Sequence, residues 1–192
     1  MDTDRNMERL VQEIFETRLT QQYAYHNFAH SRYVMQAAMK IGAASGLDTE
    51  KDQRLLMAAG LWHDTGFVSA YEGHEAMGCE LAAVYLPQFG FSAEEISLVQ
   101  GMIMATKIPQ SPRTLLEQVL ADADLCYLGT PDALALASKL FQELNSINHS
   151  FDAVQWRERQ ISFLSGHRFW TNYAIENFGP GKSAYLLSLQ LS

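Results

Sequence analysis

Leu55-Leu56-Met57-Ala58-Ala59-Gly60-Leu61-Trp62-His63-Asp64-Thr65-Gly66-Phe67 is an apolar, helix-forming run that ends on two metal-capable side chains. Burying an imidazole and a carboxylate beside such a run is costly unless something pairs with them. A metal ion would do that. Adjacent His and Asp also end helices harmlessly, so the pair gains its weight from two further polar groups. These are Tyr25-His26-Asn27-Phe28-Ala29-His30 upstream and Leu120-Ala121-Asp122-Ala123-Asp124-Leu125 downstream.

Outward from that run the pattern is helical almost throughout. Residues 4 to 19 carry Leu10, Ile14 and Leu19 at helical spacing, and 27 to 45 carry Ala29, Tyr33, Ala37, Ile41 and Ala44. Further helices are expected over 50–64, 72–88, 92–106 (with Ser92 as cap and Glu94 and Glu95 in the first turn), and 113–128 before Gly129. Pro131 opens a helix reaching Asn148. Helices over 152–165 and 167–178 follow, and Gly179-Pro180-Gly181 separates a last one over 182–191. Alternating β patterns, repeats and dividing linkers are missing, so the expectation is one all-α domain.

Composition narrows the function classes. At 192 residues, 47% of them apolar, with five prolines, the chain suits a conventional core without disulfide staples. A net charge of −8 offers no global attraction to a nucleic acid polymer or an anionic membrane. A bound cation would be the main local positive charge, drawing a phosphorylated substrate to the site. Cys79 and Cys126 read as small buried hydrophobes in a reducing compartment. The start lacks signal-peptide character and no apolar run nears the ~18 residues of a membrane span, so a cytoplasmic location is expected.

Projected on their helices, His26 and His30 share a face with Val34, Ala37 and Ile41, provided the helix reaches back that far. His63 lies on the stripe of Leu56, Ala59 and Gly60, and His74 on that of Met77 and Leu81. Each histidine alone would read as a hydrogen-bonded core residue. Together they make several buried polar exceptions in one small domain, which functional sites often explain. Asp122 and Asp124 flank their apolar stripe on opposite sides, and periodicity does not choose between them. Two nitrogens and two carboxylates suit Mn, Fe, Zn or Co, with Mg at a second position. Without thiolates a closed structural zinc site is disfavoured, and open positions would hold water activated for hydrolysis.

The ordered set of His30, His63-Asp64 and Asp124 resembles the His-Asp (HD) superfamily of metal-dependent phosphohydrolases, over residues 20 to 145. The opening at 25 to 30 is also similar to that of cyclic-nucleotide phosphodiesterases. The resemblance implies an HD-type helical bundle around a metal site, with an N-terminal helix (1–19) packed on the core (20–145) and a C-terminal helical extension (146–192). It implies His30, His63, Asp64 and Asp124 as metal ligands, Asp122 in support, and His26 as general acid. Gly73-His74-Glu75 resembles an element found after the His-Asp pair in many bacterial members. That adds His74 to Asp64 and His26 as catalytic residues, with Glu72 and Glu75 expected as solvated helix-start acids. Lys107 and Arg32 are candidate phosphate contacts; His149 and His167 have no motif support.

The reaction so implied is attack of metal-bound water on phosphorus of a small phosphorylated substrate, a nucleotide by preference, while His26 protonates the leaving oxygen. A di-iron oxygenase on the same fold is the main alternative, weakened because His74 is the one histidine between Asp64 and Asp122. A non-catalytic nucleotide-sensing domain is the other. Met102-Ile103-Met104 and the apolar C-terminus suit either internal packing or a homo-oligomer.

Overall fold

A computed structural model describes residues 2–19, 23–147 and 151–191, and every regular element among them is helical. In chain order these are α1 (Asp2–Arg18), α2 (Phe28–Ala44), α3 (Glu50–Trp62), α4 (His74–Tyr85), α5 (Ala93–Ala105), α6 (Leu115–Leu125), α7 (Ala133–Ile147), α8 (Ala153–Gly166) and α9 (Asn172–Leu191). Short 3₁₀ turns cover Thr65–Val68, Leu86–Phe89 and Cys126–Gly129. Helix starts follow local chemistry. Asn27 accepts from the backbone N–H groups of Ala29 and His30, Thr49 caps α3, and Ser92, Thr114 and Asp152 open capping boxes with Glu95, Glu117 and Gln155. Among the described residues no helix is long and apolar enough to cross a membrane.

The apolar faces build two cores. The larger takes Met7, Val11 and Phe15 from α1, Val34 and Ile41 from α2, Leu56 and Trp62 from α3, Met102 and Ile103 from α5, and Leu120 from α6. The smaller joins Tyr25, Leu125, Tyr127 and Leu128 to Leu164 of α8 and Leu189 of α9. At the α2–α3 crossing Gly60 is required: a Cβ there would lie 2.5 Å from the Cα of Met35. That close approach brings the start of α2 beside the end of α3, and with it His30 beside His63.

The C-terminal region departs from the sequence expectation. Helix α9 is continuous through Gly179-Pro180-Gly181 instead of breaking into two, and residues 167–171 are not helical. Packing outweighs local propensity here. A Cβ at Gly181 would sit 2.1 Å from the carbonyl oxygen of Gly129, so this glycine pair lets α9 lie directly on the Cys126–Gly129 turn. Before α9 the N–H groups of Trp170 and Thr171 donate to Asp122, each at 2.8 Å, and Thr171 Oγ1 accepts from Ala174 N. Those bonds fix the helix start at Asn172.

Candidate metal centre

Three helices aim one group of side chains at the seam between the two cores. His30 stands in the first turn of α2, His63 and Asp64 follow directly after α3, and Asp124 closes α6. His30 Nε2 lies 3.1 Å from Asp124 Oδ1 and 3.4 Å from Asp64 Oδ2. His63 Nε2 lies 3.2 Å from Asp64 Oδ2 and 3.5 Å from Asp124 Oδ1. With ligand bonds of about 2.1 Å, the edges of a coordination polyhedron run from about 3.0 Å when octahedral to about 3.4 Å when tetrahedral. The four separations match such edges. Among the described residues, His30, His63 and Asp124 form a group that could hold a metal ion.

Hydrogen bonding supports the same reading. His63 Nδ1 lies 2.8 Å from the carbonyl oxygen of Gly60 and must donate to it, because a carbonyl only accepts. The Nε2 lone pair is then free to face the cluster, the tautomer a metal needs. His63 Nε2 and Asp64 Oδ2 are both buried without a hydrogen-bond partner. Orphaned buried atoms cost free energy, and a cation between them would remove that cost. Burial opposes charge on His63, but the charges of Asp64 and Asp124 hold its imidazole well above its usual range. Burial equally opposes ionisation of Asp64 and Asp124, and the facing histidines hold both carboxyls well below theirs. The pocket thus calls for positive charge, which protons on the histidines or a divalent ion can supply.

His26 reaches the site by a route the helical projection did not give. Helix α2 begins at Phe28, so His26 sits in the bend before it. Glu143 of α7 holds it there: one carboxylate oxygen pairs with His26 Nδ1, and the other accepts from the backbone N–H groups of Tyr25 (2.7 Å) and His26 (2.9 Å). Burial would lower the His26 pKa, but the Glu143 hydrogen bond, with the charges of Asp64, Glu143 and Asp124, outweighs it and raises the value. The Phe67 ring stacks on His26 at 4.2 Å and on His74 at 3.8 Å between centroids. His74 Nδ1 donates to the Tyr71 carbonyl, and its Nε2 stands 3.7 Å from both Asp64 Oδ1 and Glu75 Oε1.

The other expected residues divide. Glu75 is buried and lines the cavity beside the cluster, so it is not the solvated helix-start acid that the sequence suggested; Glu72 is exposed. Asp122 turns away from the histidines to the Trp170–Thr171 backbone. Arg32 is largely exposed, pairs with Glu8 of α1 at 3.1 Å, and lines a separate groove between α1 and α2. Lys107 is exposed and lines a groove with Pro109 and Arg113, not the cavity at the cluster. The structure brings neither cation to the cluster. His167 lies against Lys182 and Phe169, its pKa pushed down to about 4 by burial and by the Lys182 charge; His149 lies outside the described residues. Thr106 Oγ1 donates to the Ile103 carbonyl. Glu143 was missed, although a carboxylate in the stripe Leu136-Leu140-Glu143 of an apolar helix was a visible signal.

The HD-domain family model matches residues 27–127, just over half of the chain, and so spans His30, His63, Asp64 and Asp124. The chain belongs to the HD-domain family. No functionally curated protein matches its sequence. This HD domain is similar to the crystal structure of a predicted HD superfamily hydrolase from an uncultured Thermotogales bacterium. The TM-score is 0.66 and the identity 21%, covering 97% of this chain and 88% of that one. At such identity the likeness bears on the fold, and it extends over α7 to α9, beyond the matched family segment. The all-α HD-type fold expected from the motif residues is the one observed.

Proposed function

We propose that this HD domain is a metal-dependent phosphohydrolase acting on a small phosphorylated substrate, with a nucleotide as the expected class. The single observation that carries the reading is the pair of orphaned, buried atoms, His63 Nε2 and Asp64 Oδ2, at 3.2 Å within a His-His-Asp-Asp cluster. His30, His63, Asp64 and Asp124 would hold the ion. A divalent metal bound there supplies Lewis acidity and a water of lowered pKa.

The remaining work falls to the chain's own groups. With His26 Nδ1 engaged by Glu143, its Nε2 proton is the one available to a leaving oxygen. Glu143 is the positioning residue: it fixes the ring through both the side chain and the backbone of residue 26 and favours the protonated form. His74 and Glu75, at the other side of Asp64, bind or orient substrate or water. Phe67 keeps both imidazoles in place by stacking.

Purified protein should contain a stoichiometric transition metal by elemental analysis. Reloaded with Mn or Co, it should release phosphate from members of a panel of nucleotides and other small phosphoesters. Oxygen uptake without phosphate release would favour the oxygenase, and tight binding without turnover a sensing domain; either result ends the phosphohydrolase reading.

A further inference from the structure

A cavity of about 320 Å³ opens from the histidine cluster, and its two ends differ in chemistry. His26, Asp64, His74, Glu75 and Asp124 line one end. Away from it the wall is Leu128, Ala137, Leu140, Leu144, Phe163 and Leu164. Helix α7 supplies 137, 140 and 144 from one face, and α8 supplies 156, 160, 163 and 164 from one face, so the wall is a feature of helical periodicity. Polar groups at the far end are partly spent on each other: Tyr185 Oη donates to Gln160 Oε1 at 2.5 Å. Arg159 is the one Lys or Arg among the described lining residues; it is largely exposed, its guanidinium 5.2 Å from the Phe151 ring centroid.

We propose that the substrate is a phosphomonoester of an uncharged, mainly apolar organic group, with the phosphate at the histidines and the organic group against α7 and α8. This rests on the phosphohydrolase reading and narrows it. The volume is at the low end of the small-molecule range, which suits a single small group beyond the phosphate. A di- or triphosphate chain would press further anionic charge on leucines and Phe163, where one exposed arginine is the available cation, and burying unpaired charge is strongly disfavoured. A hexose phosphate would set most of its hydroxyls against carbon, because the lining groups Tyr71 Oη, Tyr185 Oη and Gln160 Oε1 already bond within the chain. By the same argument a nucleoside monophosphate, with its sugar hydroxyls and polar base, ranks below an alkyl or aryl phosphate, and a triphosphate ranks below both.

The test uses the metal-loaded full chain with a series of straight-chain alkyl phosphates, phenyl phosphate, a hexose phosphate, and the mono- and triphosphate of one nucleoside. The kcat/KM should rise by about fourfold per methylene until the cavity is filled. The hexose phosphate and the triphosphate should be the poorest substrates. Calorimetry with alkylphosphonates, compared with inorganic phosphate, should show the same rise in affinity, independently of turnover. Leu140→Asn should flatten both slopes while inorganic phosphate binds as before; thermal melting of the variant checks its fold, and Phe163→Ser repeats the test from α8. A flat alkyl series, or a triphosphate turned over better than its monophosphate, overturns the proposal and leaves the phosphohydrolase reading standing. Alkylphosphonate affinity that rises with chain length, without phosphate release from any ester, upholds the apolar wall and overturns the hydrolytic reading instead.

Discussion

The histidine cluster and the junction between α6 and α9 each bury a carboxylate almost completely, and they treat it in opposite ways. At the junction Asp122 accepts three hydrogen bonds of 2.7 to 2.8 Å, from the N–H groups of Trp170 and Thr171 and from Thr171 Oγ1. At the cluster Asp64 Oδ2 accepts none, although two imidazole nitrogens stand within 3.4 Å. A carboxylate that is fully bonded by its own protein contributes to structure. One that is left unsatisfied in the core is held for something the chain does not itself provide.

Mutating the two carboxylates gives the sharpest contrast. Asp64→Ala should reduce metal affinity by at least ~100-fold, as measured by elemental analysis after dialysis, and phosphate release should fall to background. The metal-free thermal midpoint should move little, because His63 can discharge by losing its proton once the carboxylate is gone. If the variant kept both metal and activity, the cluster would be no more functional than the junction.

Within the site, the ligands and the acid should separate. His26→Gln should slow turnover by roughly 10²–10⁴-fold while the metal content survives; a loss of metal would make His26 a ligand and not the acid. Glu143→Gln should cost about 10–100-fold and should also shift the pH profile. The folded-state pKa of His26 is raised above its ordinary 6.5. Protonated His26 is therefore fully present below about 6.5 and is lost as pH rises through the raised value. Activity should fall along that alkaline limb. Removing the Glu143 charge should move the limb to lower pH, a change that loosened packing alone would not produce.

Asp122→Ala tests the other region. It strands two backbone N–H groups and the Thr171 hydroxyl, at a cost of about 3 kcal/mol. For a chain of this size that is a drop of roughly 6–12 °C in thermal midpoint. Metal uptake by the folded protein should persist. Lost metal with an unchanged midpoint would reverse the roles of Asp122 and Asp124.

Much of this contrast could be read before any coordinates. Helical periodicity and the His-Asp pair gave the all-α bundle, and His30, His63 and Asp64 converge because each stands on or directly beside an apolar helical stripe. Periodicity alone did not separate Asp122 from Asp124, since both flank their stripe; only the family resemblance named Asp124. What decides between them is a contact from residues 170 and 171, some fifty positions away. Glu143 was hidden for a similar reason: its partner His26 is 117 residues distant, and its role depends on how α7 docks. The unbroken α9 was illegible because glycine and proline signal a stop locally, whereas here Gly181 serves a backbone contact with Gly129.

The smallest expected effects belong to Arg32 and Lys107, the two cations that the sequence offered as phosphate contacts. Phosphate recognition by a side chain needs its charge within hydrogen-bond reach of the substrate. Arg32 spends its guanidinium on Glu8 and faces a groove between α1 and α2, and Lys107 is exposed and lines a groove with Pro109 and Arg113 instead of the cluster's cavity. Arg32→Ala should therefore change kcat/KM less than about twofold and cost stability only at the level of an exposed ion pair, about 0–1 kcal/mol. Lys107→Ala should be equally silent in steady-state kinetics. A rise in KM of tenfold or more in either variant would mean that the phosphate approaches from outside the α7–α8 cavity, and would relocate the substrate without disturbing the metal ligands.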